Sequence, residues 1–479
     1  MERFKKISNW LWEILPTFKK EMRVAARVYA SEELLKDILK DESINQLINS
    51  TTLPGIEKYA IAMPDCHEGY SVPIGFVGAI RADNGVISPG ACGFDINCGM
   101  RLLKSEYTFK ELFPSLDKLS SEIQAQIPSG LGQGGRTSLF KEKVNNILEQ
   151  GAQYLFKQGY GVEQDVVNCE SQGRLSWADI SSVSEKAKNR GKDQVGTLGS
   201  GNHFLEIQKV EEIFDSESAS VLGLFKNQIV VMIHCGSRGL GHQICTDYLK
   251  EFIPLMNNRY KIKVPDQEFA CVPFNSFHGQ KYFQAMACAA NYAWANRQMI
   301  TYLIRKTWQR VLGEKNSSLI ALYDVAHNII KKEEYTIGEK EIELLVHRKG
   351  ATRAFPPENP EIPEKYRKIG QPVLIPGSMG TASYVLTGKK EAEQSFYSVS
   401  HGAGRVMSRH EARRKFDGRK IILDLKQKGI LVKCRSQIGI VEEAPFVYKN
   451  IDQVVNVIEK ANLAKKIIKL VPLAIIKGE

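Results

Sequence analysis

The segment from 282 to 312 carries no proline or glycine and is crowded with small residues: Ala285, Ala287, Cys288, Ala289, Ala290, Ala293 and Ala295. Alanine is the strongest helix former, and small side chains at this density suit a long helix packed closely against its neighbours. Such a helix needs other material to cover it. The 479 residues supply it: 43% are hydrophobic and 25% charged, the proportions of a globular protein rather than of a disordered or collagen-like chain. Length alone suggests about three domain-sized units. No stretch approaches the ~18 uninterrupted apolar residues of a membrane span. The charged start Met1-Glu2-Arg3-Phe4-Lys5-Lys6 leads into an apolar run broken by Asn9 and Glu13, with no small-residue cleavage site, so a secretory signal is not expected. Nine cysteines without framework spacing point to reduced thiols and a cytoplasmic protein.

Short β-branched runs alternate with glycine-rich turns. Segments 228–233, 319–325 and 371–375 read as strands, whereas 31–49 and 141–156 carry helical patterns. The polar or Pro/Gly-rich stretches at 127–136, 185–194 and 354–363 are too short to be flexible linkers between domains. Helices and strands are therefore mixed, an α+β class, with the strand order left open. The charge balance, 65 Lys and Arg against 54 Asp and Glu for a net of +11, is a weak pointer to a polyanionic partner.

Five residues point to metal chemistry. Asp95 and Cys98, three apart after the turn-rich run Ser88-Pro89-Gly90-Ala91-Cys92-Gly93, can aim into one site; carboxylate and thiolate bind divalent ions, and sulfur can bridge two. His203 follows Gly199-Ser200-Gly201-Asn202, His234 ends the strand at 228–233, and His327 follows the strand at 319–325. A histidine at a strand end beside a turn is placed to face a cleft. Three such histidines with Asp95 and Cys98 favour a two-metal site, and the mixed O, S and N donors select no single metal.

A second feature is His401-Gly402-Ala403-Gly404-Arg405. Its small residues allow close approach of backbone to a ligand, Arg405 can pair with phosphate, and a neutral imidazole can attack the α-phosphate of a nucleotide to form a phosphoramidate. Pro376-Gly377-Ser378-Met379-Gly380, with Ser383 beyond, offers N–H and hydroxyl donors of the kind that cradle phosphate or base. Two other matches mislead. Lys415-Phe416-Asp417-Gly418 fits the K-x-D-G signature of lysine-dependent nucleotidyl transferases, but too little chain follows it. The run Gly130-Leu131-Gly132-Gln133-Gly134-Gly135 fits G-x-G-x-x-G but is preceded by Pro128-Ser129 instead of a strand. His67, His242, His278, His347 and His410 give no ligand argument of their own and read as structural.

Together these residues resemble the RtcB family of GTP-dependent RNA ligases, from Met63-Pro64-Asp65 to Lys477-Gly478. The matching blocks are Gly93-Phe94-Asp95-Ile96-Asn97-Cys98-Gly99, Gly199-Ser200-Gly201-Asn202-His203, His234-Cys235-Gly236-Ser237-Arg238-Gly239, Asp324-Val325-Ala326-His327-Asn328, His347-Arg348-Lys349-Gly350-Ala351-Thr352-Arg353, Pro376 to Gly380, and His401 to Arg405. The resemblance implies one large catalytic unit spanning residues 1–479, which overrides the three-unit prior. It implies two manganese ions, with Cys98, His203 and His234 around one and Asp95, Cys98 and His327 around the other. It implies that His401 carries GMP and that Asn202, His203, Phe204, Leu205, Glu206, His327, Asn328, Pro376, Gly377, Ser378, Met379, Ser383, Gly402, Ala403, Gly404, Tyr448 and Lys477 form the GTP site. The implied reaction joins an RNA end bearing a 3′-phosphate or 2′,3′-cyclic phosphate to a 5′-hydroxyl end, as for tRNA halves in splicing or broken RNA in repair, and an archease-type activator is a possible partner. Arg238, Lys349 and Arg353 become candidate contacts to RNA phosphates. Cys66, Glu68 and Cys92 depart from the family's usual residues, and none of these departures removes a ligand. Two rival readings are a two-metal phosphoesterase that never ligates and an RNA-binding protein with a structural metal.

Overall fold

The computed structural model describes residues 3–130, 143–313, 318–434 and 436–478. The long helix is present and longer than its composition alone marks out. It runs from Phe277 to Leu312 and buries both faces through most of its length, with the Ser276 hydroxyl accepting from the Gly279 N–H at its start. Elsewhere the α+β expectation holds, with helices set around two large sheets.

One sheet has seven strands in the order Lys5–Ser8, Leu11–Ile14, Ala25–Tyr29, Ile56–His67, Ile74–Arg81, Lys340–Lys349, Asn328–Ile337. The other runs Ile320–Ala326, Gly99–Thr108, Gln228–Cys235, Phe204–Ile213, Ala464–Lys477, Ser383–Gly388, Pro372–Ile375, and Leu431–Lys433 adds in parallel to Ala464–Lys477. Sequence neighbours are seldom sheet neighbours in this second sheet, and its register gathers distant residues at one end. Gly99 pairs with both Cys235 and Ala326, His234 pairs with Phe204, and Phe204 pairs with Lys477.

The segment 31–49 forms two helices, Glu32–Ile38 and Ser43–Ser50, instead of one. Asp41 explains the restart: its Oδ1 accepts the Ser43 N–H at 2.9 Å, and its Oδ2 accepts that of Glu68 at 2.9 Å. The helix expected over 141–156 spans Val144–Lys157 and kinks at Gly151 (φ 58°), while 141–142 lie outside the described residues. The polar stretch at 185–194 contains a helix, Glu185–Gly191, capped by the Ser184 hydroxyl. Of the stretch 127–136 and of the glycine-rich run at 130–135, everything from 131 onward lies outside the described residues.

Buried ion pairs stitch the interior. Arg101 and Arg297 both grip Asp324, at 2.7 and 2.8 Å, and all three are buried. Charges removed from water require partners of this kind. Among the described residues no helix is long and apolar enough to cross a membrane.

Candidate active site

The end of the second sheet where the register brings the distant strands together carries the metal-binding candidates. Cys98 immediately precedes Gly99–Thr108, His203 precedes Phe204–Ile213, His234 is the penultimate residue of Gln228–Cys235, and His327 follows Ile320–Ala326. Pairing these strands forces the side chains together. The Cys98 Sγ lies 3.2 Å from His234 Nε2 and 3.4 Å from His203 Nε2. His203 Nε2 lies 2.8 Å from Asp95 Oδ2, and His234 Nε2 lies 3.3 Å from His327 Nε2. Two ligand groups result, Cys98–His234–His327 and Asp95–Cys98–His203, with the donor atoms of each within 4.8 Å of one another. The sulfur is common to both. This grouping differs from the one the resemblance implies: His203 stands with Asp95, and His327 with His234.

These residues fit a pair of divalent ions. The donors are one thiol, one carboxylate and three imidazoles, a set suited to first-row metals. His234 Nδ1 contacts the Asn202 carbonyl at 3.1 Å, which turns Nε2 toward the cluster in the manner of a metal ligand oriented by its other nitrogen. Burial and Asp95 push the Cys98 thiol up to about 12, and burial with the neighbouring imidazoles holds His234 and His327 well below the usual histidine range. A bound cation reverses that logic for the thiol, because it favours the thiolate.

The long helix holds this arrangement from behind. Arg297 Nη1 donates to the carbonyls of Asn97 (2.8 Å) and Cys235 (2.7 Å), and Nη2 donates to Asn97 Oδ1 (3.0 Å). Asn97 has φ 52°, a left-handed turn between the two candidate ligands Asp95 and Cys98. Asn328 Nδ2 donates to the Asp95 carbonyl at 3.0 Å, and its Oδ1 accepts the Gly350 N–H at 2.8 Å.

A cavity of 330 Å³ opens over the cluster, within the range of small-molecule sites. His401 enters it from the end of the strand Ser398–Ser400. Its Nδ1 lies 2.6 Å from Asp65 Oδ2, which also accepts the backbone N–H groups of His401 (3.0 Å) and Gly402 (3.3 Å). A proton on Nδ1 donated to that carboxylate leaves Nε2 with its lone pair. Burial raises the Asp65 carboxyl, but the His401 imidazole and these hydrogen bonds outweigh it and hold the group below its ordinary value. His401 and His327 rings stand 5.0 Å apart. The loop is tight: Gly404 has φ +70°, and a Cβ there would come 2.0 Å from the Asp65 carbonyl oxygen.

Most other candidates also line the cavity: Asn202, Phe204, Glu206, Asn328, Pro376, Gly377, Ser378, Met379, Gly402, Ala403, Gly404, Tyr448 and Lys477. Burial pushes Glu206 up to about 7 against the opposing effects of Gln208 and Lys477, and burial lowers Lys477 despite Glu443 and Glu206. Lys477 Nζ donates to the Gly201 carbonyl at 2.9 Å. Three candidates stand elsewhere. Leu205 sits in the hydrocarbon core because alternate strand residues face opposite sides, so Phe204 and Glu206 face the cavity and Leu205 does not. Ser383 is behind the wall, where its Oγ accepts from Gln208 Nε2 (3.0 Å) and the Gly377 N–H (3.3 Å). His203 belongs to the ligand cluster without lining the cavity.

The expected RNA contacts separate. Arg353 is buried, 2.7 Å from Glu361 and 3.7 Å from Glu170, and has no path to RNA. Arg238 is tied to Thr197 Oγ1 (3.0 Å) and the Gly130 carbonyl (2.8 Å) outside the cavity wall. Lys349 does line the cavity, and burial lowers it to about 8. Sequence reasoning gave no role to Asp65, His67, Arg409 or Glu443, all of which reach the site. For Asp65 a signal existed: a carboxylate inside the apolar run Ala60-Ile61-Ala62-Met63-Pro64-Asp65-Cys66 must have a buried partner.

The family model for the tRNA-splicing ligase RtcB matches residues 46–478. The tRNA-splicing ligase RtcB of Thermococcus kodakarensis is 47% identical, covering 100% of this chain and 99% of that protein. That of Archaeoglobus fulgidus is 47% identical over 99% of this chain and 98% of its own length. The RNA-splicing ligase RtcB homolog 1 of Entamoeba histolytica is 44% identical over 95% and 90%. A match of this extent across both sheets and every strand end at the site leaves one assignment: the chain belongs to the RtcB family.

Proposed function

We propose that this protein is a cytoplasmic RNA ligase, built as a single catalytic unit, that joins a 3′-phosphate or 2′,3′-cyclic phosphate end to a 5′-hydroxyl end through guanylate carried on His401. The observation that carries the reading is the His401 imidazole, whose Nδ1 is held by Asp65 while its other nitrogen is free to act in a cavity beside the five-ligand cluster.

His401 Nε2 attacks the α-phosphorus of GTP; an N–P bond forms and the P–O bond to pyrophosphate breaks. A cyclic phosphate is first opened by water at its 2′ P–O bond. An oxygen of the resulting 3′-phosphate then forms a P–O bond to the guanylate phosphorus, and the N–P bond breaks with its electron pair returning to Nε2. The 5′-hydroxyl oxygen next bonds to the RNA phosphorus, GMP departs with the electrons of the broken P–O bond, and the hydroxyl proton passes to water. Capping is required because an unactivated phosphate monoester lacks a leaving group. Asp65 fixes the tautomer and steadies the positive charge that develops on the ring. Glu206, when ionised, accepts from the N1–H and N2–H of guanine, and Lys477 faces the nucleotide's negative charge. Asp95, Cys98, His203, His234 and His327 are the residues that hold two manganese ions, which supply Lewis-acid charge against the phosphoryl oxygens.

Incubation with α-labelled GTP and manganese tests the reading. Label on wild type and on Lys415→Ala, but not on His401→Ala, is the expected result. Turnover of cyclic phosphate by a protein that never takes label would establish hydrolysis instead.

A further inference from the structure

Beside the ligand cluster, on the cavity wall, stands a set of aromatic rings that the reaction above does not use. Tyr70 and Phe94 line the cavity and are half-buried. Their rings meet edge-on at 5.4 Å, and His242, which is exposed, stacks on Phe94 at 5.0 Å with 28° between planes. The Tyr70 hydroxyl has no hydrogen-bond partner among the described residues. Half-exposed aromatic surface at a cavity mouth keeps apolar area in water, where a flat apolar partner would cover it.

We infer that Tyr70, Phe94 and His242 form a stacking platform for the terminal base of the 5′-hydroxyl RNA. The inference rests on the ligase reading. A nucleobase is the partner whose flat face matches such rings, and stacking accepts any base, as an enzyme joining varied ends requires. The choice of end comes from the order of groups along the cavity. His401, which delivers guanylate, packs beside His327 of one ligand group, whereas Phe94 is the chain neighbour of Asp95 of the other and lines the same cavity. Displacement at phosphorus places the entering and leaving oxygens in line. With GMP leaving on the His401 side, the 5′-hydroxyl enters from the Asp95 side, where the platform stands. Lys349, whose side chain runs past Gly93 and whose Nζ donates to the carbonyls of Tyr70 and Val72, places a cation at the same wall.

The test uses the metal-loaded full chain and two series of RNA ends. Ligation is measured with the last nucleotide abasic on the 5′-hydroxyl strand, or abasic on the 3′-phosphate strand. The platform predicts that the 5′ abasic end raises the KM for that strand roughly tenfold, the order of one lost base–aromatic stack, and that the 3′ abasic end changes it little. A 2-aminopurine at the 5′ terminus is quenched on binding wild type, and Phe94→Leu restores its emission. Equal KM values for abasic and intact 5′ ends, or sensitivity confined to the 3′ strand, overturn the assignment, as does quenching that survives Phe94→Leu. Wild-type labelling by GTP is scored separately: its absence defeats the ligase reading, whereas label with no 5′-base dependence defeats only the platform.

Discussion

At the scale of single residues, ionisation state decides what the site can do. Glu206 has its carboxyl raised to about 7, first by burial. In the proposed reaction its ionised form accepts from guanine, so GTP binding is expected to weaken as pH falls through about 7. The KM for GTP measured from pH 8 to pH 6 rises in wild type and stays flat in Glu206→Gln. Asp65 acts through His401. Asp65→Asn loses the acceptor that keeps the proton on Nδ1, and the single-turnover guanylylation rate drops about 10²- to 10⁴-fold; a fall of less than about tenfold would remove Asp65 from the account. The shared sulfur of Cys98 makes a third prediction. Metal analysis after dialysis should find close to no bound manganese in Cys98→Ala and about one ion per chain in His203→Ala. Equal stoichiometry in the two variants would show that the groups do not share a ligand.

At the scale of elements, strand ends do the positioning, and buried ion pairs keep the ends in place. Glu170 is the example: its Oε1 lies 2.5 Å from Lys331 Nζ, and its Oε2 accepts the Ala326 N–H at 2.8 Å, one residue before His327. Burial pushes this carboxyl up, yet Lys331 and Arg353 prevail and bring it from 4.5 to about 2. A carboxyl lowered on folding contributes stability that is fully present above its unfolded value and is lost as pH falls through its folded one. The window is therefore about pH 4.5 down to 2, and the contribution about 3 kcal/mol. In Glu170→Gln that pH dependence disappears, while Lys331 and Arg353 remain buried with less counter-charge, so stability at pH 7 falls by about 3–5 kcal/mol. Denaturant midpoints for both proteins at pH 7 and pH 3 check the two halves.

Elements also explain what the sequence made legible. Cys98, His203 and His234 each sit beside a glycine-containing turn at a strand end, and His327 sits at the junction of two strands, so their chemistry was readable one motif at a time. Their grouping was not, because it depends on a strand order that departs from chain order. The same limit hid Asp65, whose partner is 336 positions away. Leu205 and Arg353, both marked by the family resemblance, have side chains that strand alternation and the Glu170 and Glu361 carboxylates turn inward. The helix at 277–312 was legible from alanine content, though its task of holding the Asn97 turn through Arg297 was not.

At the scale of the whole molecule, two sheets and one buried helix bring residues from position 65 to position 477 around a single cavity. The proposed reaction requires that guanylate bond to His401 and to no other residue around that cavity. A phosphoramidate is labile to acid and survives alkali, so protein treated with GTP and manganese can be digested at high pH and its peptides sequenced by mass spectrometry. The adduct is expected on the peptide containing His401 and at its imidazole. Guanylate found on Lys415, on Lys477 or on no peptide at all would contradict the mechanism.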